Sequence, residues 1–446
     1  MFTGSTEVAR LIQSQLASHL DVQGLPIPLI AETGGQNAMV IDSSALPEQA
    51  VTDIVASAFD SAGQRCSALR IVLVQNDIAP RLLEMLLGAT AELAIGRPDR
   101  LSTDVGPVIS AEARDTITAH IEAMRGRGFK VSASELPQDA RHGYFVPPTI
   151  IEIPSIDVLG REVFGPVLHV LRYQRGELDA AIDAVNALGY GLTFGIHSRI
   201  DETIAHVTSR ISAGNIYVNR NIIGAVVGVQ PFGGHSRSGT GPKAGGPLYL
   251  RRLIAPGSGP CLPTAQPPQP LLDLIKALED QGVETAALHT YAAQAPARQM
   301  TVLPGPVGEQ NQYGLEARGA ILCRADTQDA LLRQIGAALA TANVALISGK
   351  AVDAVSALLP STLRDHIHLA SQDATPDAAL YHGDPAGLLA FQSELAHYTH
   401  AVVPVYALPR DGLTQMDYPL EMLLRERVIS VNTAAAGGNA SLMTIG

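Results

Sequence analysis

The stretch "SAGQRCSALRIVLVQ", residues 61–75, decides how this chain is read. Its second half, "RIVLVQ" (70–75), is short, apolar and β-branched, as expected of a strand buried on both faces of a parallel sheet. Its first half closes a helical run from about Glu48 to Ala62, and Gly63 supplies the stop. Cys66 lies between the two, on a helix-to-strand turn, flanked by Arg65 and Ser67. Only three cysteines occur in 446 residues. Cys261 and Cys323 read as small buried hydrophobes, the usual fate of a lone cysteine. Cys66 differs, because an inward-turned Arg65 would favour its thiolate.

Outward from this turn the pattern alternates. Residues 5–20 read as a helix with Val8, Leu11, Ile12, Leu16 and Leu20 on one face. A strand "AMVID" (38–42) follows, then helices over 78–94 and 110–127, and β-rich segments "GYFVPPTIIEI" (143–153) and "VLHVLRY" (167–173). The proline-dense "APGSGPCLPTAQPPQP" (255–270) reads as a linker or covering segment. Beyond it come a helix near 271–281, a strand "GAILCRA" (319–325), a helix 327–341 and a strand "VALISG" (344–349). Both sides of the linker are therefore α/β. The chain opens on a helix start, "FTGSTEV", with no strand ahead of it, so a doubly wound domain would lack its beginning.

The formal net charge of −12 argues against nucleic acid or an anionic membrane as partner. No apolar run approaches the roughly 18 residues of a membrane helix. The N-terminus has no secretory signal, and three cysteines make no disulfide framework, which points to the cytoplasm. Apolar residues make up 46% of the chain but aromatics only 4%, with no tryptophan, so the cores are aliphatic.

Three further segments carry chemistry-bearing residues. Glu32, in "AETGGQNAMVIDSS" (31–44), sits before a Gly-Gly pair that allows a sharp bend, in a loop ahead of a strand. Glu162 precedes Phe164-Gly165-Pro166 in "REVFGPVLHVL". Residues 222–246 form a glycine-dense loop system too long for a hairpin. His366 and His368, and His397 and His400, lack the cysteine or carboxylate partners of a metal site, and no metal is expected.

"FTGSTEVA", "ETGGQN", "GQRCS" and "EVFGPV" follow the order and spacing of the aldehyde dehydrogenase superfamily, which this chain resembles. "IIGAVVGVQPFGGHSRSGTGPKAGGPLYLRRL" is similar to the glutamate-γ-semialdehyde (pyrroline-5-carboxylate) dehydrogenases, and most to the dehydrogenase portion of bacterial proline utilization A flavoproteins. "LPGPVGEQNQY" (303–313) and the terminus (429–446) resemble the extra C-terminal domain of its long members.

The resemblance implies an aldehyde dehydrogenase fold: an incomplete Rossmann-like NAD-binding domain (remnant 1–31) and an α/β catalytic domain (32–254). After the linker 255–270 would come a second, non-catalytic α/β aldehyde-dehydrogenase-like domain (271–446). It implies NAD-dependent oxidation of L-glutamate γ-semialdehyde to L-glutamate, with Cys66 as nucleophile and Glu32 as general base. Gly4, Ser5, Thr33, Gly34, Glu162 and Phe164 would hold NAD, and Glu162 would meet the nicotinamide ribose. Ser67, Gly224, Ala225 and Phe232 would hold the substrate. The family's asparagine of the oxyanion hole and lysine of the adenosine ribose have no counterpart here. A homodimer is expected, with a proline dehydrogenase module upstream or on a separate chain and no flavin here. The alternative is a catalytically incomplete fragment whose C-terminal domain, in which "AAGGNASLM" echoes "ETGGQNAMV", serves assembly or seals a passage. A thiol hydrolase working through Cys66 and Glu32 without NAD is disfavoured, since such enzymes use a histidine base.

Overall fold

A computed structural model describes residues 1–254, 262–371, 374–398, 401–408 and 417–434. Cys261, His400 and "AAGGNASLM" (435–443) lie outside the described residues. The chain divides into two compact units that interleave in sequence. One gathers Met1–Thr33, Gly239–Thr301 and Tyr313–Arg427; the other gathers Gly34–Ser238, Val302–Gln312 and Val428–Gly446.

The second of these is built on a parallel sheet. Its central strands run in the order Asn215–Val218, Thr193–His197, Asn37–Ile41, Leu69–Gln75, Val167–Tyr173 and Thr149–Glu152, all parallel. Lys130–Ala133 closes one side antiparallel to Thr149–Glu152. On the other side Val428–Val431 pairs parallel with Asn215–Val218. All seven residues of Leu69–Gln75 and all five of Asn37–Ile41 are buried, as the unbroken apolar runs require. Helix Pro47–Phe59 starts on a proline at its first position, where no amide hydrogen is needed, and packs Ile54 and Phe59 into the sheet's core. Helices Ala79–Ala91 and Ala111–Gly126 add Leu82, Leu86, Ile117 and Ile121 to that core.

In the other unit the C-terminal sheet is parallel, with order Ile367–Leu369, Val344–Ser348, Ala320–Ala325, Ala378–His382, Val405–Leu408. Numbered along the chain this is 3-2-1-4-5, the start of the doubly wound nucleotide-binding order. Thr327 caps helix Gln328–Ala340 through Ala330 N–H, and Asp384 caps Pro385–Ala396 through Gly387 N–H. Cys323 is fully buried in mid-strand.

Two expectations need correction. A two-residue strand, Phe2–Thr3, precedes the first helix and pairs with Ala31–Glu32, so the chain does not open on a helix. Glu32 thus belongs to a short strand rather than a loop. The helix itself spans Thr6–Leu16, and Val8 and Leu11 are exposed while Ala9 is buried. Ile12, Leu16 and Leu20 of the expected stripe are half-buried, with Leu20 packed on the cluster around Leu388 and Phe391, so the stripe is right in part and misplaces Val8 and Leu11.

Candidate active site

The Cys66 turn is made by backbone strain that the strand behind it holds in place. Helix Pro47–Phe59 breaks into the 3-10 turn Asp60–Gly63, where Ser61 (φ 55°), Ala62 (φ 52°) and Gly63 (φ 65°) are all left-handed. For Ser61 and Ala62 this conformation costs about 1–2 kcal/mol each. Only glycine fits at 63, since a Cβ there would run into the Gly165 carbonyl. Ala68 N–H closes back on the Arg65 carbonyl at 3.1 Å. Asn37 Nδ2 donates to the carbonyls of Cys66 (2.7 Å) and Ala68 (2.9 Å). Cys66 is half-buried at the amino end of the buried strand. Arg65 commits its Nε to Ser61 Oγ at 2.9 Å, so it serves the turn.

The same end of the sheet holds Glu162. Its Oε2 accepts the Gly35 N–H at 3.0 Å, and its Oε1 accepts Arg70 Nε at 3.2 Å and Nη2 at 2.9 Å. Gly34 must be glycine here, because a Cβ would collide with Glu162 Oε2. Phe164 is 45% exposed, with the Arg70 guanidinium 5.3 Å from its ring centre. Ser67 is buried, and Thr193 Oγ1 donates to its carbonyl at 3.4 Å. The substrate-loop residues follow strand Asn215–Val218: Gly224 (φ 75°) is exposed, Ala225 and Phe232 are half-buried. This unit therefore brings together Cys66, Ser67, Gly34, Glu162 and Phe164 at the amino ends of its parallel strands.

Gly4, Ser5, Glu32 and Thr33 belong to the other unit. Ser5 caps helix Thr6–Leu16 by accepting Val8 N–H at 3.3 Å, and Gly4 N–H donates to the Glu32 carbonyl at 3.1 Å. An 11-residue helix start with a free-standing polar cap suits a pyrophosphate. Thr240 ties the 239–243 loop to this strand, donating its N–H to the Ala31 carbonyl and accepting Ala31 N–H, each at 3.0 Å. Lys243 follows in that loop, buried, its ammonium pulled down to about 8 by burial against the attraction of Glu426 and Glu32. Burial pushes the Glu426 carboxyl up, although it accepts Lys243 N–H and, at 2.8 Å, Tyr313 OH.

Sequence reading missed several polar groups. Asn37 lay inside a quoted motif, but an asparagine opening a strand carries no signal of its own. Arg70 stood in the quoted strand, where a buried charge is the one irregular letter. A second cleft of about 410 Å³ is lined by Gln49, Asp53, Arg220, Asn221 and Glu309, among others. There burial raises Asp53 to about 6, and His197 Nε2 stands 3.4 Å from its Oδ2. Among the described residues no three His, Cys, Asp or Glu side chains gather as a metal set, and no helix is long and apolar enough to cross a membrane.

A family model described as "Aldehyde dehydrogenase family" matches residues 1–255. The chain is 51% identical over 457 residues to the Bifunctional protein PutA of Rhizobium meliloti, an alignment covering all of this chain and 37% of that protein. It is 36% identical over 251 residues to the 1-pyrroline-5-carboxylate dehydrogenase of Geobacillus kaustophilus, covering 56% of this chain and 48% of the other. Among solved structures, proline utilization A from Corynebacterium freiburgense matches 97% of this chain and 41% of its own at TM-score 0.70 and 26% identity. The chain thus spans little more than a third of the length of its PutA relatives.

Proposed function

The chain belongs to the aldehyde dehydrogenase family, and from that premise we propose that it oxidises L-glutamate γ-semialdehyde to L-glutamate with NAD. Support for the substrate comes from relatives named for proline utilization and 1-pyrroline-5-carboxylate. One observation carries the reaction type: a half-buried cysteine on a strained turn, its carbonyl pinned by Asn37, at the strand ends that also present Glu162.

In this reading the Cys66 thiolate attacks the aldehyde carbon, and a C–S bond forms as the carbonyl oxygen becomes an oxyanion. Donors near the turn, the Cys66 backbone N–H among them, stabilise that charge. With NAD held by these residues, the cofactor would supply the hydride acceptor, and loss of hydride from this carbon would leave Cys66 carrying the acyl group as a thioester. Glu32 then takes a proton from water as the water attacks the thioester. The C–S bond breaks, the acid leaves and the thiolate returns. The residues present fit the cofactor: Glu162 offers carboxylate oxygens to ribose hydroxyls, Phe164 an exposed ring, and Gly4 and Ser5 a helix start, with Thr33 and Gly34 alongside in sequence. Ser67 and the backbone of Gly224 and Ala225 would take the substrate's α-carboxylate, with Phe232 beside its methylenes.

The second reading, a structural or assembly role for residues 271–446, is favoured by Cys323: it has no exposure, and burial raises its thiol far above the reactive range. A homodimer, a proline dehydrogenase module elsewhere, and the cytoplasm as compartment belong to the same proposal. The test is NADH absorbance with glutamate γ-semialdehyde and NAD. NADH formation lost in Cys66→Ala supports the reading, and undiminished formation in that variant sinks it.

A further inference from the structure

We infer that Arg70 is a positioning residue that ties the Cys66 turn to Glu162, so that nucleophile and cofactor contact are set by one guanidinium. The inference rests on the reading of Glu162 as the ribose acceptor. Arg70 is the extra residue of a β-bulge: Asn37 pairs with Leu69, but Ala38 pairs with Ile71. A bulge re-aims one side chain out of the strand's alternation, and bulges gather beside active sites. Here the side chain re-aimed is a buried cation, 1% exposed.

Every arm of its fork is committed. Nε and Nη2 hold Glu162 Oε1 at 3.2 and 2.9 Å. Nη1 donates to the carbonyls of Gly63 (2.7 Å) and Gly165 (3.1 Å), and Nη2 also reaches the Arg65 carbonyl at 3.2 Å. Gly63 and Arg65 lead into Cys66 from its N-terminal side, and Gly165 belongs to the Glu162 loop. Glu162 in turn fixes the Gly34–Gly35 bend through Gly35 N–H. Only a planar five-donor group can hold a carboxylate and three carbonyls at once; lysine, a point charge with three donors, cannot.

A histidine pair supports the bulge from behind. His169 Nδ1 lies 3.2 Å from the Arg70 carbonyl, which can only accept, so Nδ1 carries the proton. Its Nε2 therefore accepts from His120 Nε2 at 2.9 Å. Burial holds His169 near 3, so it stays neutral and the arrangement persists at physiological pH. This pair fixes the bulge's backbone; the guanidinium fixes the site.

The experiment compares amide hydrogen exchange and NADH binding, followed by fluorescence, in the chain as it stands and in Arg70→Met, Arg70→Lys and Glu162→Asp. Arg70→Met should speed exchange at Gly35 and across residues 64–68 together, by tenfold or more. Arg70→Lys should speed both by a smaller factor, and by more than it speeds exchange across helix Ala79–Ala91, whose change reports any general loss of stability; it decides alone if Arg70→Met fails to fold. Glu162→Asp should free Gly35 and leave 64–68 protected. The positioning role is overturned if a folded Arg70→Lys keeps wild-type exchange at both segments. The ribose reading fails separately, if Glu162→Asp frees Gly35 yet binds NADH as tightly as wild type. Arg70 is expected to act on cofactor affinity: Arg70→Lys should weaken NADH at least fivefold in folded protein well below its melting temperature, a change that a general loss of stability does not produce there.

Discussion

Cys66 and Cys323 both belong to parallel α/β sheets. Cys323 lies inside strand Ala320–Ala325, with no exposure, its Sγ 3.6 Å from the Ile321 carbonyl. Cys66 lies just ahead of strand Leu69–Gln75, half-buried, in the segment that joins this strand to the left-handed turn Ser61–Gly63. The same residue type is packed inside a strand in one place and set on a connecting segment in the other; a sheet's interior excludes ligands, whereas its connecting turns can present side chains to them, and the proposed chemistry rests on that difference. The two regions differ in a second way. Open α/β sheets usually bind ligands at the carboxyl ends of their strands. Cys66, Asn37 and the Glu162 loop sit at the amino ends of theirs, so the site proposed here is not the one that the topology of this sheet alone would suggest.

The contrast breaks most sharply on the cysteines themselves. Cys66→Ala should lower the rate of NADH formation at least about 10³-fold, with little change in melting temperature. Cys323→Ser should do the reverse: a buried hydroxyl replaces the thiol, stability falls by about 1–3 kcal/mol, and activity per folded molecule stays. A loss of turnover from Cys323→Ser in fully folded protein would end the assignment of Cys323 to packing. Glu32→Gln should cut steady-state turnover by about 10²–10⁴-fold and leave a burst of NADH, because the thioester still forms but is not hydrolysed. A vanished burst would move Glu32 from hydrolysis to the first step.

The next effect is on the turn. Gly63→Ala should destabilise the protein by about 2–4 kcal/mol, since it forces a Cβ into the left-handed region and against the Gly165 carbonyl. Gly88, in mid-helix with open space around it, is the control: Gly88→Ala should stabilise by up to about 1 kcal/mol. Urea unfolding of both variants measures the difference.

What could be read beforehand follows the same division. Strands Asn37–Ile41, Leu69–Gln75, Val167–Tyr173, Ala320–Ala325 and Val344–Ser348 were legible because buried parallel strands are continuous apolar runs, and their ends fall within a residue of the expected ones; Thr193–His197, Asn215–Val218, Ala378–His382 and Val405–Leu408 were not read as strands. "GYFVPPTIIEI" was too generous, since the strand is only Thr149–Glu152 once the two prolines are set aside. The first helix misled because Val8 and Leu11 follow the helical period yet face solvent. At the proposed site, Cys66 stood out by its helix-to-strand turn and Glu162 by its place before Phe164-Gly165-Pro166, while the roles proposed for them came through resemblance. Arg70, Asn37 and Lys243 were not, since each works through partners distant in sequence, and no local pattern announces a bulge or a buried lysine. The way segments interleave in the two units likewise has no local signature.

The smallest effect separates two buried aspartates, one on each side of the comparison. Burial raises both Asp53, on the helix leading to the Cys66 turn, and Asp377, beside the strand of Cys323. Asp377 Oδ2 accepts Ala320 N–H at 2.9 Å, so its carboxylate has structural work to do. Asp53 Oδ2 has no hydrogen-bond partner among the described residues, only His197 Nε2 at 3.4 Å. With a folded pKa of about 6 against about 3.9 unfolded, the folded state holds the Asp53 proton longer than the unfolded chain does. The unfolded state binds fewer protons between pH 4 and 6, so stability falls as pH rises through that window. Asp53→Asn removes the dependence. Its stability relative to wild type should therefore rise between pH 4 and 6 and level off above pH 7. Asp377→Ala should instead be destabilising at pH 4, 6 and 8 alike, because Ala320 N–H then loses its acceptor. Denaturant midpoints at pH 4, 6 and 8 decide the matter: a flat difference for Asp53→Asn would mean that its carboxylate is already satisfied in the fold, and the cleft beside Arg220 would then be a settled ion-pair network with no strained acid in it.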